Sequence, residues 1–354
     1  KNIANKGFSK FSIIIMKIRN ILFIFLLLIF VSGCTGGSRG GPEFGTGITQ
    51  SKAGVDFDIS KLPPKISSGS QFDLEVTVVN KGSYSLTPGD VLLTMSNTKQ
   101  FDFDLESNSL QTAHGNNGFT NARMLMKALD KDVEGDSNTF YFSNLNYISS
   151  TVRGLDVNVP ISINSCYYYN TIATLDICVA KDITSDICSS NEIKKVVNQA
   201  APVHVSGFKQ ESSLLSGTDI NSNIIIFISS YGNEKFESYV TPDSTGQITD
   251  NTLLSDRLDC TNTDKTRYSA VRLKSIRIGS DILIGGKGID TYCEVSATPN
   301  IIQLDENGAA SVSCALPLTE NYMDGRGDYS ERMIITLDYL VSDSVTKGLV
   351  VVGT

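Results

Sequence analysis

Alternation at period two dominates this chain from residue 72 onward. Phe72, Leu74, Val76 and Val78 fall on one side, with Asp73, Glu75 and Thr77 between them. Leu155, Val157, Val159, Ile161 and Ile163 alternate with Asp156, Asn158, Pro160 and Ser162. Ala173, Leu175, Ile177 and Val179 alternate with Thr174, Asp176 and Cys178, and Met333, Ile335, Leu337, Tyr339 and Val341 repeat the pattern near the end. Successive side chains of a strand point to opposite faces, so a chain written this way folds as half-buried strands. Further strands fit 224–229 and 271–278. Turn-forming runs separate them: Asn80-Lys81-Gly82, Pro88-Gly89-Asp90, Gly285-Gly286-Lys287-Gly288 and Asp305-Glu306-Asn307-Gly308. Many short strands with such turns predict an all-β chain built as β-sandwiches.

One segment departs from the pattern. From Thr120 to Lys131, Met124, Leu125, Ala128 and Leu129 fall at helical spacing, with Thr120 as an N-cap. This predicts one short helix inserted between strands, its methionine-bearing stripe packed on the sandwich.

A weak repeat sets the domain organisation. Val76 to Gly82 parallels Ile226 to Gly232, a strand and then a turn ending in Gly, 150 residues apart. Ala201-Pro202 precedes the second copy, and 189–200 reads as the junction. Two tandem domains are therefore expected, at 55–198 and 199–354.

The N-terminal part carries a different signal. Lys17 and Arg19 precede an apolar run from Ile21 to Val31, followed by Ser32-Gly33-Cys34. A basic region, a short apolar region and small residues before a cleavage point make a secretory signal peptide over 1–33. The run is shorter than the ~20 residues that span a bilayer. Val31-Ser32-Gly33-Cys34 resembles a lipobox, in which Cys34 becomes the lipidated first residue; a short uncleaved anchor is the alternative. Met16 opens a self-sufficient signal, so residues 1–15 are expected to be non-native. Residues 34–54 are rich in Gly, Ser and Thr and predict a flexible tether.

Charge narrows the partners. Without the five basic residues of the leader (Lys1, Lys6, Lys10, Lys17, Arg19), 25 of the 30 remain against 38 acidic residues, a net −13. Phosphate backbones demand Lys and Arg, so nucleic acid is not an expected partner. Docking to anionic lipid heads is disfavoured for the same reason.

Of seven cysteines, six remain once Cys34 is set aside for lipid: Cys166, Cys178, Cys188, Cys260, Cys293 and Cys314. An even number behind an export signal reads as disulfides. Six cysteines allow 15 pairings, which the sequence does not resolve. The proximal choice is Cys178–Cys188 and Cys293–Cys314, with Cys166–Cys260 crossing between the two groups.

The run Lys61 to Gly82 carries prolines, then Gly-x-x-Phe, then a strand, then Asn-x-Gly, and it resembles the opening of immunoglobulin-like adhesion modules of bacterial and archaeal surfaces. Cys166-Tyr167-Tyr168-Tyr169, Cys178-Val179, Cys188 and Ala201-Pro202-Val203 are similar to secreted proteins of small-genome symbiotic archaea. The resemblance implies two immunoglobulin-like sandwiches and a cell-surface location. Such families carry no established catalytic residues, so none transfer.

Chemistry is sparse. Gly279 to Gly286-Lys287-Gly288 lacks the spacing and the Ser/Thr of a phosphate-binding loop, and H-E-x-x-H does not occur. The two histidines are His114, in a polar loop, and His204, on a predicted strand; a solvated and a half-buried role are expected. Asn321, Asp324, Asp328 and Glu331 cluster oxygen ligands suited to a weak Ca²⁺ site, but their spacing is not the standard loop pattern, and a solvated acidic loop is the stronger reading. No other cofactor is expected. Arg326-Gly327-Asp328 matches an integrin-read tripeptide, a match that chance supplies readily. If Tyr167–Tyr169 lie in a strand, Tyr168 faces opposite to its neighbours, so at least one tyrosine is core. No N-x-[ST] sequon occurs.

These readings converge on a non-catalytic, lipid-anchored protein on the extracellular face of the membrane or in the envelope. Its expected role is adhesive or structural, its partners the membrane through the anchor and other surface proteins or glycans. A lipoprotein that captures sugars or peptides is the alternative.

Overall fold

The structure, a computed structural model, describes residues 54–353 except 97, 116, 129–134, 149–153, 180–187, 190–191, 212–213, 217–218, 232–234, 238–268, 281, 286–287, 296–299 and 319–328. The first half of the chain gives β1 (Val55–Lys61), β2 (Lys65–Ser67), β3 (Gln71–Asn80), β4 (Val91–Met95), β5 (Phe101–Asp104), β6 (Gln111–His114), β7 (Gly118–Asn121), β8 (Ser137–Tyr147) and β9 (Asp156–Val179). Then come β10 (Glu192–Lys194), β11 (Val197–Asn198), β12 (Val203–Gln210), β13 (Leu214–Ser216), β14 (Asp219–Ser230), β15 (Lys235–Glu237), β16 (Ala270–Ile278) and β17 (Ile282–Gly285). One helical turn, α1 (Ile289–Tyr292), precedes β18 (Ile301–Gln303), β19 (Ala309–Leu318) and β20 (Tyr329–Val352).

Three sheets form. The first runs β1-β3-β8-β5, and the second runs β10-β12-β14-β13 with β19 on β14. The third has eleven strands in the order β17-β16-β20-β9-β4-β7-β6, with β11 on β9, β2 and β15 on β20, and β18 on β16. Its spine is β9 paired antiparallel with β20 over 24 residues each, from Asp156↔Val352 to Val179↔Tyr329. At ~3.3 Å per residue each of these strands follows a path of ~80 Å.

The other two sheets cover different halves of this spine. Lys347 on β20 reaches Asp58 (3.0 Å) and the Ile59 carbonyl on β1. Gln210 on β12 accepts from Cys178 N (2.9 Å) and donates to its carbonyl (2.7 Å) on β9. The architecture is an all-β sandwich of two lobes with one hydrophobic core running through both. Leu74, Val76 and Val78 of β3 are fully buried, and burying side chains of this size contributes about 1.5–3 kcal/mol each.

The lobes do not follow the expected division at 198/199. β9 begins in the first lobe and ends in the second, and β20 makes the return trip. Residues 350–352 thus finish beside β2, with Ile66 parallel to Val351. A cut at 198/199 leaves the shared strands on both sides.

The helix expected from Thr120 to Lys131 is corrected by the structure. Thr120 and Asn121 close β7, Thr120 pairing with Leu92. Leu125 forms a bridge with Leu86, each N–H donating to the other's carbonyl (2.9 and 3.0 Å). Leu125 is buried while Met124 and Met126 on either side are exposed, the alternation of an extended chain. Residues 129–131 lie outside the described residues.

Candidate functional site: the tyrosine-lined junction and its surroundings

Between the lobes the spine presents Tyr167, Tyr168 and Tyr169, all buried. Odd-numbered residues of β9 face the main core. Tyr168 faces the opposite side in a small cluster with Leu92, Cys166 and Leu340. The core-facing hydroxyls bind backbone that the sheets leave unpaired. Val55 N–H donates to Tyr167 Oη (3.4 Å) and Tyr84 N–H to Tyr169 Oη (3.3 Å), which in turn donates to the Ala200 carbonyl (3.5 Å). Opposite, Tyr339 Oη accepts from Val203 N–H (3.1 Å) and lies 2.8 Å from Thr171 Oγ1, whose proton goes to the Val203 carbonyl (2.6 Å). Ser83 N–H donates to the Ala200 carbonyl (2.8 Å), joining the loop after β3 to the lead-in of β12. Burial pushes the Tyr168 and Tyr169 hydroxyls well above the usual phenol range, with the Asp338 carboxylate adding to the effect at Tyr168. These tyrosines therefore act as neutral hydrogen-bonding groups.

The outward face at the same level carries a buried ion pair. Arg272 of β16 grips Asp338 of β20 with two nitrogens, its Nε lying 2.6 Å from Oδ1, and Tyr168 Oη donates to Oδ2 (3.2 Å). A charge pair removed from water needs this many partners to offset its desolvation. The sequence offered one cue, a carboxylate interrupting the apolar run Met333–Val341.

Two more buried titratable groups lie nearby. Asp90 is wholly buried; one carboxylate oxygen accepts from Thr87 N–H (2.5 Å) and Thr87 Oγ1 (2.9 Å), and the other finds no hydrogen-bond partner among the described residues. Burial pushes its carboxyl up to about 6. His204 stacks on Tyr231 at 3.9 Å, its Nε2 lies 2.8 Å from Ser229 Oγ, and its Nδ1 has no partner among the described residues. Burial lowers its pKa to about 4, so it is neutral near pH 7. His204 is more deeply buried than the half-buried position expected, at 6 % exposure. A Ser–His contact becomes nucleophilic chemistry when a third group orients the base, and among the described residues nothing binds Nδ1 to do so. His114 ends β6, half-buried.

An open groove of about 410 Å³ lies beside α1, lined by Glu211, Asn223, Asp290, Tyr292, Glu294 and Ser313. Its floor includes the Cys293–Cys314 disulfide, which ties α1 to β19. Cys178 and Cys188 form a second disulfide. Cys166 is disulfide-bonded too; Cys260, the partner expected for it, lies outside the described residues. So do Cys34 and three members of the candidate Ca²⁺ loop, Asn321, Asp324 and Asp328. Glu331 sits in β20, its Oε1 accepting from Arg332 N–H (3.2 Å). Among the described residues no three His, Cys, Asp or Glu side chains gather in a metal-holding group, and no helix is long and apolar enough to cross a membrane.

No protein-family model matches the sequence, and no curated protein matches it. Among solved structures, the serine-rich repeat adhesion glycoprotein Srr1 from Streptococcus agalactiae aligns at 8 % identity over 85 % of this chain and 96 % of its own, with a TM-score of 0.18. The collagen adhesin CNA from S. aureus aligns at 10 % identity over 85 % and 93 %, with a TM-score of 0.12. Overlaps this small carry no argument about fold or function. Both of these proteins are bacterial, and the comparisons give no support to an origin in small-genome symbiotic archaea.

Proposed function

We propose that this chain is a non-catalytic protein of the extracellular surface, held to the membrane by lipid on Cys34, with an adhesive or envelope-structural role. One observation carries the reading: the 24-residue β9–β20 ladder that both lobes share. Two sandwiches threaded on common strands resist being pulled apart, because separating them breaks a sheet and not a linker. Disulfides fit an oxidising, extracellular setting. The hydroxyls of Tyr167, Tyr168, Tyr169 and Tyr339 and the charges of Arg272 and Asp338 are spent on backbone and on each other, the pattern of a support. Other surface proteins or glycans are the proposed partners.

The open groove beside α1 favours a second reading, a lipoprotein that captures a small polar ligand, since carboxylates and the half-buried Tyr292 ring can hold sugar or peptide groups.

The test is fractionation and surface labelling. The parent is expected in the membrane fraction, accessible to impermeant reagents on intact cells and crosslinked to other exported proteins. Cys34→Ser is expected to be released or left unprocessed, since stable anchoring takes two lipid signals. A protein found inside the cell with reduced cysteines overturns the surface reading. A Cys34→Ser variant that stays on membranes at the mature size overturns the lipid anchor alone.

A further inference from the structure

We propose that Met124 and Met126 form a paired methionine-oxidation site, the place on the described surface where a peroxide is reduced by sulfur. Their exposures are 46 % and 50 %, whereas Met95 and Met333 are at 0 %. Met16 and Met323 lie outside the described residues. All five described cysteines are already in disulfides, so no described thiol competes for the oxidant. That leaves these two thioethers as the accessible sulfur nucleophiles of the described surface.

The backbone keeps them presented. Leu125, between them, is buried and bridged to Leu86. Asp136 N–H donates to the Met126 carbonyl (3.1 Å), and Asn80 Nδ2 donates to the carbonyls of Leu125 (3.2 Å) and Met126 (3.3 Å). A segment pinned through its middle residue turns residues i and i+2 to one side. Both thioethers therefore point outward together.

The chemistry balances with one peroxide per methionine. A sulfur lone pair attacks one peroxide oxygen, the O–O bond breaks, the sulfur keeps that oxygen as a sulfoxide, and the other oxygen leaves as water or an alcohol. The sulfur is oxidised and the peroxide reduced. Sulfoxide is polar, so on an exposed side chain it meets water and costs the fold little, whereas on Met95 or Met333 it would sit in the core. Oxidation thus converts a small apolar patch into a polar one without unfolding the protein.

The experiment treats the folded full-length protein with hydrogen peroxide and follows each methionine by peptide mapping. Met124 and Met126 are expected to gain one oxygen each at rates more than ~100-fold above Met95 and Met333, whose sulfurs are reached only through opening of the core. In denaturant the four rates are expected to converge. The doubly oxidised protein is expected to melt cooperatively within a few degrees of the parent, and Met124→Leu with Met126→Leu to abolish the fast phase at these peptides. Equal rates at all four sites in the folded protein, or melting abolished by oxidation of Met124 and Met126 alone, overturns the proposal.

Discussion

Tyr169 fills the volume that a side chain on Gly82 would need: a Cβ at position 82 would lie 1.6 Å from the tyrosine oxygen and 2.7 Å from the ring carbon bearing it. The turn after β3 is therefore made to measure for the tyrosine on β9. Gly82→Ala is expected to destabilise by about 1–3 kcal/mol, as overpacking does. Tyr169→Phe is expected to cost about 1 kcal/mol through the lost contacts to Tyr84 and Ala200. Removing the hydroxyl takes away the tightest contact but leaves the ring carbon at 2.7 Å and Gly54 N at 2.9 Å, so the double variant should recover part of the loss and be more stable than the two losses summed. Urea midpoints of the four proteins check this, and strict additivity would show that the two residues do not compete for space.

The buried pair Arg272–Asp338 yields a second prediction. Arg272→Met leaves a carboxylate in the interior with Tyr168 as a remaining partner, and is expected to cost about 3–5 kcal/mol. Arg272→Met with Asp338→Leu removes both charges and should recover most of that loss. A double variant as unstable as the single one would mean that the pair itself, and not the stranded charge, supports the junction.

Acid should act on the two buried titratable groups with opposite signs. The His204 pKa falls from 6.5 to about 4 on folding, so the unfolded chain binds the extra proton, and stability drops as pH falls from about 6.5 to 4. The Asp90 pKa rises from 3.8 to about 6, so the folded chain binds the extra proton, and stability rises as pH falls from about 6 to 4. His204→Gln is expected to gain stability relative to the parent as pH drops through this window, and Asp90→Asn to lose it. Chemical denaturation at pH 7, 5.5 and 4.5 reads both slopes. Parallel profiles for all three proteins would show that neither group titrates between the folded and unfolded states.

Strand content was legible wherever one face of a strand meets water. Phe72 to Val78 alternates because its even residues are core and its odd ones are not. The continuity of β9 was hidden for the converse reason. From Ser165 to Thr171 the strand is buried on both faces, with Cys166, Tyr168 and Asn170 covered on the side opposite the core, so alternation vanishes and one strand reads as two. The Thr120–Lys131 segment failed through coincidence: Met124, Leu125 and Ala128 suit a helical stripe, but the segment takes its hydrogen bonds from Leu86, Gly82 and Asn80. The short-range cysteine pairs could be named because their loops are short. The ion pair Arg272–Asp338 could not, because 66 residues separate its partners.

The lobes should keep their arrangement without any covalent tie. A Cys166–Cys260 disulfide, which we still expect and which mapping of the non-reduced protein would reveal, was the sequence's means of fixing one domain to the next. The structure offers another means. β9 pairs with β20 without interruption across the junction, and Tyr339, Thr171 and Val203 lock the start of β12 onto that pair. Losing a cross-link removes constraint chiefly from the unfolded chain, whereas separating the lobes would break ladder hydrogen bonds and open a shared core. Cys166→Ser with Cys260→Ser is therefore expected to lower the melting temperature while leaving the small-angle scattering profile of the folded protein unchanged. A profile that broadens in this variant at temperatures well below melting would mean that the disulfide, and not the shared strands, sets the geometry of the junction.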